Sequence, residues 1–391
     1  MEATYPVIKS DEALPPLIAE GLYSFSIGGS ERVGVDMALA FKRRGYRVAC
    51  FAFYGSDGPF KQELLDGGIA CPDLDYTTRN RFVRRLTYQY QFYRYLRANG
   101  VRALHVHHAT ALMLCGIPAW LAGVRNVVMT EHAVFQLQER PPYRRAAARY
   151  CRYASAITAV HQGIADYFQH EMGVSAERLH VVANGVQLRE PDAATRVSLR
   201  AEIGLTQQDF VFLYVGRLED VKDLSTLLHA YAALPDSLRT TARVVLAGDG
   251  SCRAELESLR DSLGLAGRVI FLGARNDIPN LLSMADAFVM TSRTEGLPMA
   301  MIEAMGAGLP VISTAVGGIP ELLSGGAGLT APAKDPDGIS QAMATLLTDP
   351  VQRSQMAQRA REKIETHYSL DGVVSRYLGL LGLPAFWPPR N

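Results

Sequence analysis

Several features that would assign this chain to a familiar class are scarce or missing. Cysteine is scarce: Cys50, Cys71, Cys115, Cys151 and Cys252 are odd in number, widely spaced and form no CxxC pair. That argues against a disulfide framework and a cysteine metal site, and it fits a reducing cytoplasm. The opening residues, MEATYPVIKSDEALPP, show no basic start followed by an apolar run, so no signal peptide is expected. A long hydrophobic run is missing too. The most apolar stretch, residues 109–124, is broken by Gly116 and Pro118 and falls short of the ~20 residues a membrane span needs. It reads as one or two buried helices. There is no fixed-period repeat and no low-complexity tract. A GxGxxG dinucleotide motif is also absent, which counts against a dehydrogenase.

What is present is the composition of a soluble globular protein, 48% apolar and 20% charged in 391 residues. That length suits two or three domains of roughly 100–200 residues each. The net charge of +1 conceals an asymmetry. Residues 1–190 hold 22 Lys and Arg against 17 Asp and Glu, and the remainder holds 18 against 22. Between Tyr76 and Tyr153 there are 13 Arg against Glu131 and Glu139 alone. Either that face attracts an anionic partner, or it consists of solvated helices that use arginine. The segment from Arg79 to Arg102 interleaves Phe82, Tyr88, Tyr90, Phe92, Tyr93 and Tyr95 with arginine. Such a mixture suits an anionic membrane surface or a lipid-linked acceptor. No recognition module accompanies the charge, so nucleic acid is not expected as a partner.

The N-terminal half alternates β-rich runs at residues 21–25, 47–53, 103–106, 126–130, 156–160 and 179–182 with amphipathic stretches such as 31–44 and 81–99. The C-terminal half repeats the pattern, with strands at 210–215, 243–247, 269–272, 287–290 and 311–313. Continuous apolar runs alternating with helices indicate parallel sheets buried on both faces. The predicted organisation is a Rossmann-like acceptor-side domain at 1–190, a linker at 191–206 and a Rossmann-like donor-binding domain at 207–370. A C-terminal helix and tail at 371–391 would return to the first domain. Ligands of open α/β sheets bind beyond the carboxyl ends of the strands, so two such domains facing across a cleft would hold a substrate there.

Three motifs carry chemistry. Gly28 and Gly29 precede a helix, where glycine lets a ligand approach the backbone and the helix start offers N–H groups to an anion. Val215-Gly216-Arg217 ends a strand, with Lys222 five residues beyond Arg217. Two cations there could offset the charge that develops on a leaving diphosphate, or they could be surface bases paired with Glu219 or Asp220. The longest motif runs from Thr291 to Gly308. Gly296 permits a turn, Pro298 suits the first helical position, and N–H groups around Leu297, Pro298 and Met299 could hold phosphate oxygens. Glu295 lies before the helix and Glu303 inside it, so the two carboxylates can address opposite ends of one polyhydroxylated ligand. Glu303 sits among Ala300, Ile302, Ala304 and Met305, where a carboxylate needs a partner. Two strand ends carry histidine, in Leu104-His105-Val106-His107-His108 and Thr130-Glu131-His132. A zinc site is not expected there, because His105 and His107 share a face without a third ligand in register.

In this order the motifs resemble the retaining GT-B glycosyltransferases of family 4. The resemblance rests on Glu295 and Glu303 separated by seven residues, the glycine pair Gly28-Gly29, and the run Val215-Gly216-Arg217 with Lys222. It rests further on Gly248-Asp249-Gly250, Phe271-Leu272-Gly273 and Gly317-Gly318-Ile319-Pro320-Glu321. It implies an α/β GT-B fold that moves a hexose from a nucleoside diphosphate sugar, a UDP-sugar before a GDP-sugar, to a hydroxyl of a glycan or lipid-linked acceptor. Glu295, His132, Arg217 and Lys222 would form the catalytic set, with His107 beside them. Gly28, Gly29, Gly248, Arg275, Ile278, Gly296, Leu297, Pro298, Met299 and Glu303 would contact the donor. Within that set Glu303 would take the ribose hydroxyls, Glu295 the sugar, and the backbone near Arg275 and Ile278 the base. No metal and no cofactor are expected, since no DxD-type pair occupies a fitting loop. The place of action would be the cytoplasm, with the inner face of the plasma membrane as its peripheral site, in exopolysaccharide or envelope glycan assembly. A nucleotide-sugar epimerase is the alternative within the same fold, and a sugar-nucleotide-binding regulator a third reading.

Overall fold

A computed structural model of the chain describes residues 14–55, 57–74, 81–188 and 190–387. Arg79 and Asn80 of the basic aromatic segment, and the start and extreme end of the chain, lie outside the described residues. Two compact units form. The first comprises Met1–Gly185 with Leu370–Asn391, the second Val186–Ser369.

The first unit holds a six-stranded parallel sheet: β1 (Leu17–Leu22), β2 (Arg47–Ala52), β3 (Val101–His107), β4 (Asn126–Glu131), β5 (Ala156–Ala159) and β6 (Leu179–Val181). The strand order is β2-β1-β3-β4-β5-β6. Strand direction of travel therefore reverses between β1 and β3, the topological switch point of an open α/β sheet. The first strand is displaced from its expected place. It covers Leu17–Leu22, buried along its whole length, rather than residues 21–25, because the apolar run begins earlier and continues through Glu20.

The helix Gly29–Arg43 follows β1. It buries Val33, Val35, Met37, Ala38, Ala40 and Phe41, while Glu31 in its first turn and Lys42 and Arg43 in its last complement the helix dipole. The helix Arg81–Ala98 departs from its sequence reading. Tyr88, Phe92, Tyr95 and Leu96 are core residues. Phe92 and Tyr95 pack edge-on against Phe51 of β2, and Tyr88 against Phe53. Those aromatics are spent on the core. Among its described side chains, Val83, Leu86 and Tyr90 are large, apolar and exposed. The apolar stretch with Gly116 and Pro118 is one helix, His108–Ala122. No helix among the described residues is long and apolar enough to cross a membrane.

The second unit repeats the architecture with β7 (Phe210–Val215), β8 (Ala242–Ala247), β9 (Val269–Gly273), β10 (Ala287–Met290), β11 (Val311–Thr314) and β12 (Leu329–Ala331). The order β12-β11-β10-β7-β8-β9 puts its switch point between β7 and β10. Most of the stretch read as a linker is the helix Ala193–Glu202 of this unit. Its Arg200, fully buried, donates to the carbonyls of Met284 and Asp209 at 2.9 Å and to Asp286 Oδ2 at 2.7 Å. A buried guanidinium persists only with such complete pairing. The helix Leu370–Leu380 belongs to the first unit, where the Tyr377 hydroxyl lies 3.0 Å from Thr130 Oγ1 and 3.1 Å from Thr158 Oγ1.

Candidate active site

The switch point of the second unit gathers most of the predicted residues. Val215 ends β7, and Gly216 turns the chain so that Arg217 is exposed beyond the strand. Gly248, at the end of β8, has φ 151°, and a Cβ there would lie 1.8 Å from the Gly216 carbonyl oxygen. Glycine at 248 is thus required by two backbones in contact. The Leu218 N–H donates to the Asp249 carbonyl at 2.9 Å, which ties the two strand-end turns together.

Beyond β10, the loop from Thr291 to Gly296 is braced on three sides. Thr291 Oγ1 donates to the Asp223 carbonyl at 2.9 Å, and the Arg293 N–H to the Val221 carbonyl at 2.9 Å. Thr314 Oγ1 of β11 donates to the Ser292 carbonyl at 2.6 Å. On the third side, the Gly318 N–H donates to the Gly296 carbonyl at 3.0 Å. Gly317 has φ 54°, and a Cβ on it would meet the Glu295 carbonyl oxygen at 1.9 Å. The Gly317-Gly318 pair is therefore the support on which the Glu295 loop rests.

Glu295 and Lys222, assigned separately from sequence to sugar and diphosphate, pair with each other. Lys222 Nζ donates to Glu295 Oε1 at 2.5 Å, and Ser292 Oγ donates to the same oxygen at 2.6 Å. The Lys222 partner is thus neither Glu219 nor Asp220. Pro298 is the N-cap of the helix Met299–Gly306 rather than its first residue. The first intrahelical bonds run from the Met301 and Ile302 N–H groups to the Pro298 carbonyl, which leaves those of Met299 and Ala300 directed away from the helix. Glu303 is half-buried within that helix. Arg275 makes a two-pronged ion pair with Asp277, 2.7 Å at each contact, and Ile278 starts the following helix.

The switch point of the first unit carries a second cluster. Gly28 caps and Gly29 opens the helix after β1, and a Cβ on Gly29 would meet nothing within 4 Å. Behind that helix lies a polar stripe inside the sheet. β1 and β3 pair with Glu20 opposite His105, and β3 and β4 with His107 opposite Thr130. Alternation puts all four side chains on one face. Gly34 allows the helix to lie against them, since a Cβ there would come 3.0 Å from His107 Nε2. Glu20 Oε1 is 2.9 Å from His105 Nδ1 and 2.8 Å from His107 Nε2, all three side chains being almost wholly buried. His107 Nδ1 is 2.8 Å from His132 Nε2. Glu20, the third group in register, falls outside the sequence expectation because the first strand is read there at residues 21–25 rather than Leu17–Leu22; a glutamate inside an apolar β run was the available signal.

The ligating atoms of Glu20, His105 and His107 lie within 4.8 Å of one another, a spacing that could hold a metal ion. Hydrogen bonds already account for each contact. Burial lowers His105 to about 3 and His107 to about 4, and it depresses His132 well below the usual imidazole value. It raises Glu20, against the opposing pull of His107. Next to this group, Glu131 accepts from His108 Nδ1 at 2.8 Å, from the Ala109 N–H at 3.0 Å and from the His132 N–H at 3.1 Å. Burial opposes charge on His108, yet Glu131 brings its net value above the ordinary one.

Two family models match, Glycosyltransferase Family 4 over residues 27–190 and Glycosyl transferases group 1 over residues 196–363. The chain belongs to the group 1/family 4 GT-B glycosyltransferases. It is similar to N-acetyl-alpha-D-glucosaminyl L-malate synthase of Bacillus anthracis, 26% identical over 90% of this chain and 93% of the relative. It is also similar to the UDP-Gal:alpha-D-GlcNAc-diphosphoundecaprenol alpha-1,3-galactosyltransferase of Escherichia coli, 32% identical over 58% of this chain and 61% of that one. Crystal structures of Anabaena Alr3699/HepE in complex with UDP and with UDP-glucose share its fold. Their TM-score is 0.82 at 23% identity, covering 94% of this chain and 99% of theirs. The two Rossmann-like sheets are those of a GT-B enzyme, and the glycosyltransferases to which the chain is similar favour transfer over the epimerase alternative.

Proposed function

We propose that this glycosyltransferase moves a hexose from a UDP-sugar, with retention at the anomeric carbon, to a hydroxyl of a glycan or lipid-linked acceptor. The observation that carries the reading is the convergence at the β7–β10 switch point of Arg217, the Lys222–Glu295 pair and the N–H groups at Met299 and Ala300. Breaking a sugar–phosphate bond loads negative charge on the leaving diphosphate. Fixed cations and helix N–H groups stabilise that charge most where it develops. Lys222 has two further N–H groups after serving Glu295, so it can hold the carboxylate and meet phosphate at once. Glu295, kept in place by Lys222 and Ser292, would accept from a sugar hydroxyl. Glu303 would accept from ribose, Gly28 and Gly29 would let phosphate approach backbone, and the turn at Arg275 and Ile278 would meet the base. His132 would accept from a hydroxyl of the sugar.

The uridine assignment is supported by relatives whose names carry UDP-sugars. As the resemblance to retaining GT-B glycosyltransferases implies, the reaction would proceed by front-face displacement, in which the leaving phosphate helps to deprotonate the acceptor. The protein then supplies positioning and charge stabilisation, and no metal is required. Transfer that EDTA abolished and a divalent ion restored would contradict that last point. Docking on an anionic inner membrane surface would use arginines of the helix Arg81–Ala98 with Val83, Leu86 and Tyr90, in cell-envelope glycan assembly; liposome flotation without dependence on anionic lipid would exclude it.

The deciding experiment is a thermal-shift panel of nucleoside diphosphates and their sugars. Ligand that binds only the folded state raises the melting temperature with concentration. UDP and one UDP-sugar should stabilise, and the sugar should then be consumed only when acceptor is added. Consumption without acceptor, giving a new sugar nucleotide, would revive the epimerase. No stabilisation by any nucleotide, with no turnover, would defeat the proposal.

A further inference from the structure

The hydrogen-bonded chain through Glu20 has one consistent assignment of protons when the carboxylate is ionised. A carboxylate only accepts; His105 Nδ1 is hydrogen-bonded to Glu20 Oε2 at 3.2 Å and His107 Nε2 to Oε1 at 2.8 Å. Both nitrogens must then carry hydrogen. A neutral imidazole has one N–H, so His105 Nε2 and His107 Nδ1 are bare. His105 Nε2 lies 2.7 Å from Thr130 Oγ1, which must donate to it. Thr130 in turn receives from Thr158 at 2.6 Å or from Tyr377 at 3.0 Å, and that branch closes. On the other branch, bare His107 Nδ1 faces His132 Nε2 at 2.8 Å. His132 must therefore carry its hydrogen on Nε2, and its Nδ1 is left as a lone-pair acceptor.

The surroundings agree with neutral rings. Burial depresses all three imidazoles and raises Glu20, so the two ring N–H groups are the donors that hold its carboxylate ionised. His132 is the one of the three residues that is half-buried rather than buried, and its backbone N–H is held by Glu131. His108, paired with Glu131, lies beside it, 5.2 Å from His132 between ring centroids.

We propose that Glu20 is a positioning residue which, through His107, fixes the Nε2–H tautomer of His132, so that the other ring nitrogen, Nδ1, is left unprotonated to accept from a sugar hydroxyl. The proposal rests on the glycosyltransferase reading for the identity of the hydroxyl, but the tautomer itself does not. A metal held by Glu20, His105 and His107 would give the opposite pattern. It would need His107 Nε2 bare, put the hydrogen on His107 Nδ1, and make His132 Nε2 the acceptor.

Long-range 1H–15N correlation spectra of protein labelled with 15N-histidine read the tautomer directly, with His132 assigned by loss of its signals in His132→Gln. The expected result at pH 7.5 is Nε2 protonated and Nδ1 bare in His132. An Nδ1–H tautomer, or a stoichiometric metal found by elemental analysis, would overturn the proposal. The second arm is kinetic. Glu20→Gln should lower kcat about tenfold, roughly the value of one hydrogen bond in the transition state, and Glu20→Asp should restore part of it. In a His132→Ala background, Glu20→Gln should change kcat less than about twofold, because its effect passes through the missing ring. Losses that multiply would refute coupling. If these variants misfold, the wild-type spectrum still decides. Absence of any glycosyl transfer would sink the functional reading and leave the spectrum unaffected.

Discussion

Gly317→Ala is the substitution with the most definite consequence. Residue 317 has φ 54°, in the left-handed region, where an alanine costs about 1–2 kcal/mol. Its new Cβ would also stand 1.9 Å from the Glu295 carbonyl oxygen and 3.2 Å from that of Gly296. Ordinary contact requires the Glu295 backbone to retreat by more than ~1 Å. The same segment carries the Gly318 to Gly296 hydrogen bond and the Ser292 and Lys222 contacts on the Glu295 side chain, which that retreat would disturb. Stability should fall by at least about 2 kcal/mol, which for a unit of this size is roughly 4–8 °C in melting temperature. A misplacement of about 1 Å near the reacting groups costs on the order of a hundredfold in rate, so kcat should fall that far even at temperatures where the protein is folded. Gly325→Ala is the matched control. It has φ 73°, but nothing lies within 4 Å of its added Cβ; it should lose about 1–2 kcal/mol of stability and keep its kcat. Melting curves and initial rates on the two variants settle the matter. Equal kcat values in both would refute the claim that the glycine pair supports the Glu295 loop.

Glu303→Ala should mainly weaken donor binding and Glu295→Ala should mainly lower turnover; titration calorimetry with UDP and kcat measurements giving the reverse would exchange the two roles. Gly29→Ala meets open space and should leave the melting temperature within about 1 °C, while raising KM for the donor severalfold if phosphate approaches that backbone; an unchanged KM would remove Gly29 from the site. Asp286→Ala strips Arg200 of its carboxylate and should cost about 3–5 kcal/mol, visible in denaturant unfolding; a loss below about 1 kcal/mol would show that the carbonyl acceptors suffice. His105 and His107 have folded values near 3 and 4 against an unfolded value of about 6.5. Their contribution to stability is therefore complete above pH ~6.5 and drains away as pH falls towards 4. His108 is shifted upward, so its ion pair contributes fully below pH ~6.5 and fades as pH rises through its folded value. Melting temperature followed from pH 7.5 to 4.5 should fall on acidification, since two buried neutral rings outweigh one pair; a rise would contradict the buried network.

The second unit was the more legible half. Strands such as Phe210–Val215 and Ala287–Met290 stand where the apolar runs put them, because sheets buried on both faces announce themselves as unbroken hydrophobic segments. Glycines 248 and 317 could be noticed in sequence but not explained, since their reason is another backbone pressed against them. The Lys222–Glu295 pair joins residues 73 positions apart, which no local spacing reveals. In the helix Arg81–Ala98, arginine and aromatic residues read as a surface feature, and tertiary packing took Tyr88, Phe92 and Tyr95 inward. Glu20 was hidden for the opposite reason. One carboxylate in an apolar strand breaks the expected pattern, and its two histidine partners stand some 85 residues away.

The helix Leu370–Leu380 has a consequence for how the chain is made. The second unit is an insertion: the chain leaves the first unit after Gly185 and returns at Leu370, and it does so at adjoining points, with Val186 bridged to Ser369 in one unit and Leu370 packed against Gly185 in the other. Synthesis runs from the N-terminus, so residues 1–185 emerge without Tyr377, the hydroxyl that meets Thr130 and Thr158 deep in their sheet. The second unit has all its strands before that residue is translated and can fold first. The half that begins the protein is thus the half that is finished last, and Glu20 with its histidines stays unsealed until the closing helix arrives.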